Sequence, residues 1–141
     1  MATIVHTDWL DGMLGDATHS VIDWNADNID GSLLDATDSG SITAANVDYD
    51  EVDGATVVAT EDITIASITD GVVSTDGALT FAAVTGDAAD YLTVFKNSGT
   101  PGTSPLAITW DSASTGLPVT PNGGDIVATW GSNIIVTLAA A

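Results

Sequence analysis

Apolar and polar positions alternate along most of this chain with the period of two that places successive side chains on opposite faces of a strand. In ALTFAAV the alternation sets Leu79, Phe81 and Ala83 against Ala78, Thr80 and Ala82. In DYLTVFK it sets Tyr91, Thr93 and Phe95 against Leu92, Val94 and Lys96, and in PLAITW it puts Leu106, Ile108 and Trp110 on one face. From Val21 onward the runs are built of Val, Ile and Thr, which suit a pleated, half-buried surface. Between them stand turn residues: TDG at 69–71 and 75–77, then TGDAA, NSGTPGTSP and TPNGG. The pattern predicts strands over 29–35, 55–60, 62–68, 71–75, 78–84, 90–96, 104–110, 124–130 and 133–139. Short strands at about 8 to 12-residue spacing, with no long helical window, predict an all-β chain: a single-domain antiparallel β-sandwich of jelly-roll or Ig-like type.

Two regions depart from the plain alternation. In the first twenty residues Val5, Trp9, Leu10, Met13 and Leu14 recur at helical spacing, while Gly12 and Gly15 weaken a helix. Residues 1–20 are therefore expected to be an irregular or short-helical arm, an arm that packs on a neighbour being the other reading, with the sandwich over 21–141. At the other end GLPVTPNGG leads into DIVATW and NIIVTL, joined by Gly131-Ser132. Gly in first place suits a type II′ turn, so a closing β-hairpin is expected, lying deep in a sheet or against a partner.

Composition changes the picture mainly through charge. The chain has 141 residues, 45% of them hydrophobic, enough for one domain with a core. No apolar run reaches the ~18 residues of a membrane span, and MATIVHTDWLDG lacks the basic and apolar regions of a secretory signal. The net charge is −19, with Lys96 the lone base. Such a surface repels phosphate backbones and anionic bilayers, which argues against nucleic-acid and membrane partners. Self-repulsion at low ionic strength is screened in molar salt, where the Debye length falls to about 3 Å, so the charge suits a saline habitat; an acidic surface serving solubility alone is the other reading. The charge is uneven: −14 over residues 1–62, −4 over 63–90 and −1 over 91–141. The C-terminal third thus has the composition of core or interface. With no cysteine, disulfides, thiol nucleophiles and thiolate metal sites are ruled out.

Candidate chemistry is sparse. Asp23, Asn25 and Asp27 match the opening spacing of a calcium loop, but Asn28 stands where glycine is expected and Leu34 where a bidentate acid is needed. Asp48, Asp50 and Asp53 form a second oxygen-rich cluster. Calcium or magnesium is conceivable at either; a solvated acidic loop with no cofactor is the favoured reading. His6 and His19 have no HExxH or paired-ligand context and are expected to be structural or exposed. No serine sits in a G-x-S-x-G elbow and no phosphate loop occurs, so no enzyme activity is expected. Trp9, Trp24, Trp110 and Trp130 are read as core-capping rings in preference to a sugar platform.

The stretch VVSTDGALTFAAVTGDAADYLTVFKNSGTPGTSPLAITWDSASTGLPVTPNGGDIVATW resembles a group of small structural proteins encoded by tailed phages, and upstream IDWNADNIDGSLLD resembles the same group. The resemblance covers about residues 21 to 138, and GLPVTPNGGDI is its most specific part. The chain departs from the group in having lost almost all Lys and Arg, which suits a virus of a salt-loving host. The resemblance implies a virion component on the outer surface of the head: a decoration (cement) protein bridging major capsid subunits. A turret or tail position is the alternative, and a carbohydrate-binding attachment module a further one. The partners implied are the major capsid protein and further copies of the chain itself, with a trimer favoured. The contact residues expected are Val5, Trp9 and Leu10 in the arm and Pro118, Val119, Pro121, Trp130, Ile134, Val136 and Leu138 near the C-terminus.

Overall fold

A computed structural model of the chain describes residues 3–35, 42–53, 57–111 and 116–137. In chain order its elements are β1 (Thr3–Val5), α1 (Thr7–Met13), β2 (Ile29–Leu34), β3 (Val57–Asp62), β4 (Ile65–Thr69), β5 (Val72–Thr75), β6 (Leu79–Phe81), β7 (Tyr91–Lys96), β8 (Leu106–Trp110), β9 (Ile126–Ala128) and β10 (Ile134–Thr137). They form three antiparallel sheets: β1-β8-β7-β2-β3, β10-β5-β4 and β6-β9. The all-β, antiparallel, sandwich-like single domain expected from the alternation is what the chain forms.

The five-stranded sheet is covered on both faces, so every residue of β2 is buried. On one face Ile29, Leu33, Leu92, Val94 and Ile108 meet Val73, Leu79, Phe81, Ile135 and Val136 from the two smaller sheets. Each such side chain taken fully out of water contributes about 1.5–3 kcal/mol. On the other face Ile42, Tyr49 and Val52 cover Leu34, Phe95 and Leu106. Tyr49 stacks on Phe95, with ring centroids 4.0 Å apart and planes within 6°.

That second face also carries polar groups, and they are satisfied in two chains. The hydroxyls of Ser32, Tyr49 and Thr60 bond one another across β2, the covering segment and β3. His6 is fully buried; its Nδ1 bonds the Asn46 carbonyl at 3.0 Å and its Nε2 the Thr109 hydroxyl at 2.9 Å. A carbonyl only accepts, so Nδ1 carries the proton and the neutral ring accepts from Thr109 through Nε2. Thr109 bonds Thr93 in turn.

Several expectations are corrected. The first residues do hold the expected short helix, α1, but they are also part of the sheet: Thr3, Ile4 and Val5 pair with Trp110, Thr109 and Ile108, and α1 follows directly. Glycine did not prevent that helix, because Gly12 is where it touches the chain behind it. A Cβ there would stand 2.1 Å from the Ser20 carbonyl oxygen. Leu106 and Ile108 do not share a face. β8 has one residue more than β7 between the pairs Val94↔Ile108 and Phe95↔Leu106, so a bulge at Ala107 sends Leu106 to the Tyr49 side.

The expected closing hairpin does not form either. β9 pairs with β6, and β10 pairs with β5. Residues 126–137 run antiparallel along 72–81, and both segments cross from one small sheet to the other. The corner is tied by Thr75, whose hydroxyl donates to the carbonyls of Gly77 and Asn133. The left-handed residues at the link are Ser132 and Asn133, with φ of 56° and 57°, whereas a type II′ turn would place that conformation on Gly131. The long-range pairing buries Ile135 and Val136, which a local hairpin standing alone would not.

Candidate interaction groove

A concavity of about 720 Å³ lies between the β7–β8 end of the five-stranded sheet and the segment 116–135. Leu33 and Leu92 line it from the large sheet, and Leu117, Val119, Ile126 and Ile134 from the C-terminal segment. Trp110, at the end of β8, and Trp130, beyond the end of β9, both line it; their centroids are 6.1 Å apart and their planes 52° apart. Both indoles are half-buried. The segment is held in place by Val119, whose N–H donates to the Ala89 carbonyl and whose carbonyl accepts from the Ala89 N–H, each at 2.9 Å.

Two acceptors on the rim are engaged by the backbone. Asp125 accepts from the Ala83 N–H at 2.9 Å, and Asn122 accepts from the Gly124 N–H at 2.9 Å. The groove thus offers a partner apolar and aromatic surface edged by nearly as much polar surface, from residues such as Thr120, Asn122, Asp125 and Thr129. Neither histidine lines it. The tilt between the two indoles denies a sugar the flat, coplanar platform that stacking requires.

The expected contact residues divide among several places. Val119, Trp130 and Ile134 converge on the groove. Pro118 is exposed and Pro121 half-buried on the segment that forms its wall. Val5 is exposed on β1, and Leu10 is half-buried on α1. Trp9 and Val136 are corrected: they are buried inside the protein, Trp9 edge-on to Trp24 at 5.8 Å, and present no surface to a partner. Leu138 lies outside the described residues. Leu33, Leu92 and Leu117 are groove residues that the sequence does not mark: alternation places the first two in a core without saying that the core has an open side, and Leu117 stands in the turn-rich lead-in.

Of the acidic candidates, Asp23 and Asp27 are engaged by their own backbone. Asp23 accepts from the Asn25 N–H, Asp27 accepts from the Asp23 N–H, and the other Asp27 oxygen pairs with Lys96 at 3.0 Å. Asp48 and Asp53 flank a 3-10 turn, Tyr49–Glu51, that contains Asp50. Burial, then the charge of Asp50, pushes both carboxyls above the usual range. Among the described residues no three acidic, histidine or cysteine side chains converge as a metal site.

An unforeseen acid pair lies at the end of the sheet. Asp30 is directly opposite Asp62, accepts from Asn97 at 2.7 Å and Asn28 at 3.1 Å, and is pushed up to about 6, first by burial and then by sharing with the Asp62 carboxyl against the pull of the two amides.

No family model matches the chain, and no curated protein matches it significantly. Among the described residues no helix is long and apolar enough to cross a membrane.

Proposed function

We propose that this protein is a non-enzymatic virion structural protein, a decoration subunit that binds the outer face of a capsid by taking apolar surface of the shell into the Trp110–Trp130 groove. The observation that carries the reading is the position of that groove. It is built largely from the charge-poor C-terminal third, while residues 1–62 hold −14 of the net −19. Asp125 is the one charged residue in the groove's lining, and apolar burial is least penalised where few charges must be desolvated. The likeness of residues 21 to 138 to small tailed-phage structural proteins supports the same reading. Each copy adds a modest free energy, and shell symmetry multiplies it. In this reading the partners are the major capsid protein and further copies of the chain, with three copies around local three-fold positions.

The test is to mix purified protein with expanded heads of the virus that encodes it, in molar salt, and to locate it by cryo-electron microscopy. Regular density over the head lattice, lost with Trp130→Ala, is the expected result. Density confined to the portal vertex, five-fold turrets or the tail would overturn the decoration reading in favour of a turret or tail component, and absence of binding would remove both.

A further inference from the structure

The margin of the β10-β5-β4 sheet offers a second contact surface, away from the groove. β4 is one of its two edge strands, and among the described residues no strand pairs with its outer side. Residues Ala66 to Thr69 are exposed on both faces of the strand. The β4–β5 hairpin is nevertheless well defined. Asp70 and Gly71 close it with φ of 53° and 77°, as a two-residue turn of Asp-Gly type does. Ser67 and Ser74 bond through their hydroxyls at 2.7 Å across the two strands.

Ile68 is the informative residue. It pairs with Val73, so both side chains leave the same face of the sheet. Val73 is 5% exposed, in the core, whereas Ile68 is 46% exposed. Ile68 thus sits on the core side of the sheet just beyond the point where this chain's own core ends. Edge strands are ordinarily guarded by charge or proline. β3 has Glu61 and Asp62, and β1 is three residues long and runs straight into α1. β4 has neither charge nor proline; a bulge at Ala66 leaves Ser67, Ile68 and Thr69 as the regular stretch.

We infer that β4 is a self-association edge, pairing antiparallel with β4 of a second copy about a two-fold axis through Ile68. This register places Ile68 against Ile68 and Ser67 against Thr69, and extends the sheet over the uncovered isoleucine. The edge is self-complementary in this register, and charge permits a second copy held in this way. Each copy carries −19, so close approach is tolerated only where acids do not meet. In this register Asp70 falls opposite Ala66, and the two Asp70 residues are four positions apart along the strand, about 13 Å at strand rise. That exceeds the Debye length of about 3 Å in molar salt. The inference is independent of the capsid reading and concerns the free protein.

The lack of cysteine provides the experiment. Ile68→Cys introduces a lone thiol, and Val21→Cys, at a 58% exposed position outside the groove, is the control. In 2 M NaCl under mild oxidant, Ile68→Cys is expected to form disulfide dimers at least about tenfold faster than Val21→Cys, because paired-strand Cα spacing lies within disulfide reach. Sedimentation of the unmodified protein should show a monomer–dimer equilibrium that strengthens with salt. Ile68→Lys should remain monomeric with an unchanged circular dichroism spectrum. Equal cross-linking of the two cysteine variants, or unchanged association of a folded Ile68→Lys protein, would overturn the inference.

Discussion

Asp30 on β2 faces Asp62 on β3 across one antiparallel pair, and Asp30 is only 3% exposed. A buried carboxylate beside a second one is favoured when protonated, which is why Asp30 is pushed up to about 6 from its ordinary 3.8. The sign of its effect follows. Above about 6 the group is ionised in the folded and unfolded chains alike, and the folded state bears the full cost of burying the charge. Between about 6 and 3.8 the folded state takes up a proton first, so this contribution to stability grows as pH falls through that window and is lost as pH rises through it. Asp30→Asn removes the titration. Subtracting the variant's urea-unfolding free energies from those of the parent, at steps from pH 7 to pH 4, should give a difference that moves in the parent's favour as pH falls. A flat difference would show that Asp30 titrates at its ordinary value.

His6 acts in the opposite sense. Burial lowers its pKa from 6.5, against the pull of the Asn46 carbonyl and the Glu51 charge. A base with a depressed folded pKa contributes stability that is complete above 6.5 and declines as pH falls below it. The two groups therefore oppose each other in weakly acidic solution, and the parent's own pH profile should be shallow there. In the Asp30→Asn background, His6→Gln should reduce the loss of stability between pH 6.5 and pH 5. At pH 8 the same change should cost about 1–3 kcal/mol, since Gln does not reach Asn46 and Thr109 with the ring's geometry. Identical slopes with and without His6 would count against a titrating ring.

Close packing at two glycines leads to a third expectation. At Gly31, in the middle of β2, a Cβ would stand 2.4 Å from Leu79 Cδ2 and 3.4 Å from Ile63 Cδ1. Both neighbours are side chains that can shift, so Gly31→Ala should cost about 1–3 kcal/mol by overpacking. At Gly12 the obstacle is the Ser20 backbone. Gly12→Ala should cost more than Gly31→Ala, despite alanine's better helix propensity, because α1 must move off the segment it is bonded to through Asp8 and the Ser20 N–H. Thermal melts of both variants decide this, and a stabilised Gly12→Ala protein would contradict the observed packing.

These glycines also show where reading the chain succeeds and stops. β2, β5, β7 and β8 follow the strand ranges expected from alternation and turn residues, since those signals are local. Their neighbours in space are not local. Two β-like runs around Gly131-Ser132 read as a hairpin, yet each found a better partner about 45 to 65 residues away, in β5 and β6. Trp9 reads equally well as an anchor for a neighbour or for the chain's own core, and only packing against Trp24 distinguishes the two. The groove was partly legible because the charge deficit of the C-terminal third marked that region, and Val119, Trp130 and Ile134 were picked out from it. Its other wall was not, because a large-sheet leucine has the same pattern whether the core above it is closed or open. The Asp30–Asp62 pair escaped for a related reason. Among so many acids, only the register of β2 on β3 singles out two.

The net charge of −19 makes ionic strength the last lever. Repulsion among exposed acids raises the energy of the folded state more than that of the expanded chain, and salt screens it. The unfolding midpoint should therefore rise as NaCl goes from about 0.05 M to about 1 M, where the Debye length is about 3 Å, and then level off. An equal osmolality of a neutral sugar serves as the control for general exclusion effects. Asp11→Lys tests the electrostatic cause directly. Asp11 is exposed on α1, whose last turn has no base, so lysine there removes one repelling charge, adds an attracting one and complements the helix C-terminus. At low salt the substitution should stabilise the protein by about 0.3–1 kcal/mol, and the gain should shrink in molar NaCl. A parent protein whose midpoint ignores NaCl, with an Asp11→Lys gain unchanged by salt, would mean that the acidic surface serves solubility and is no adaptation of the fold to brine.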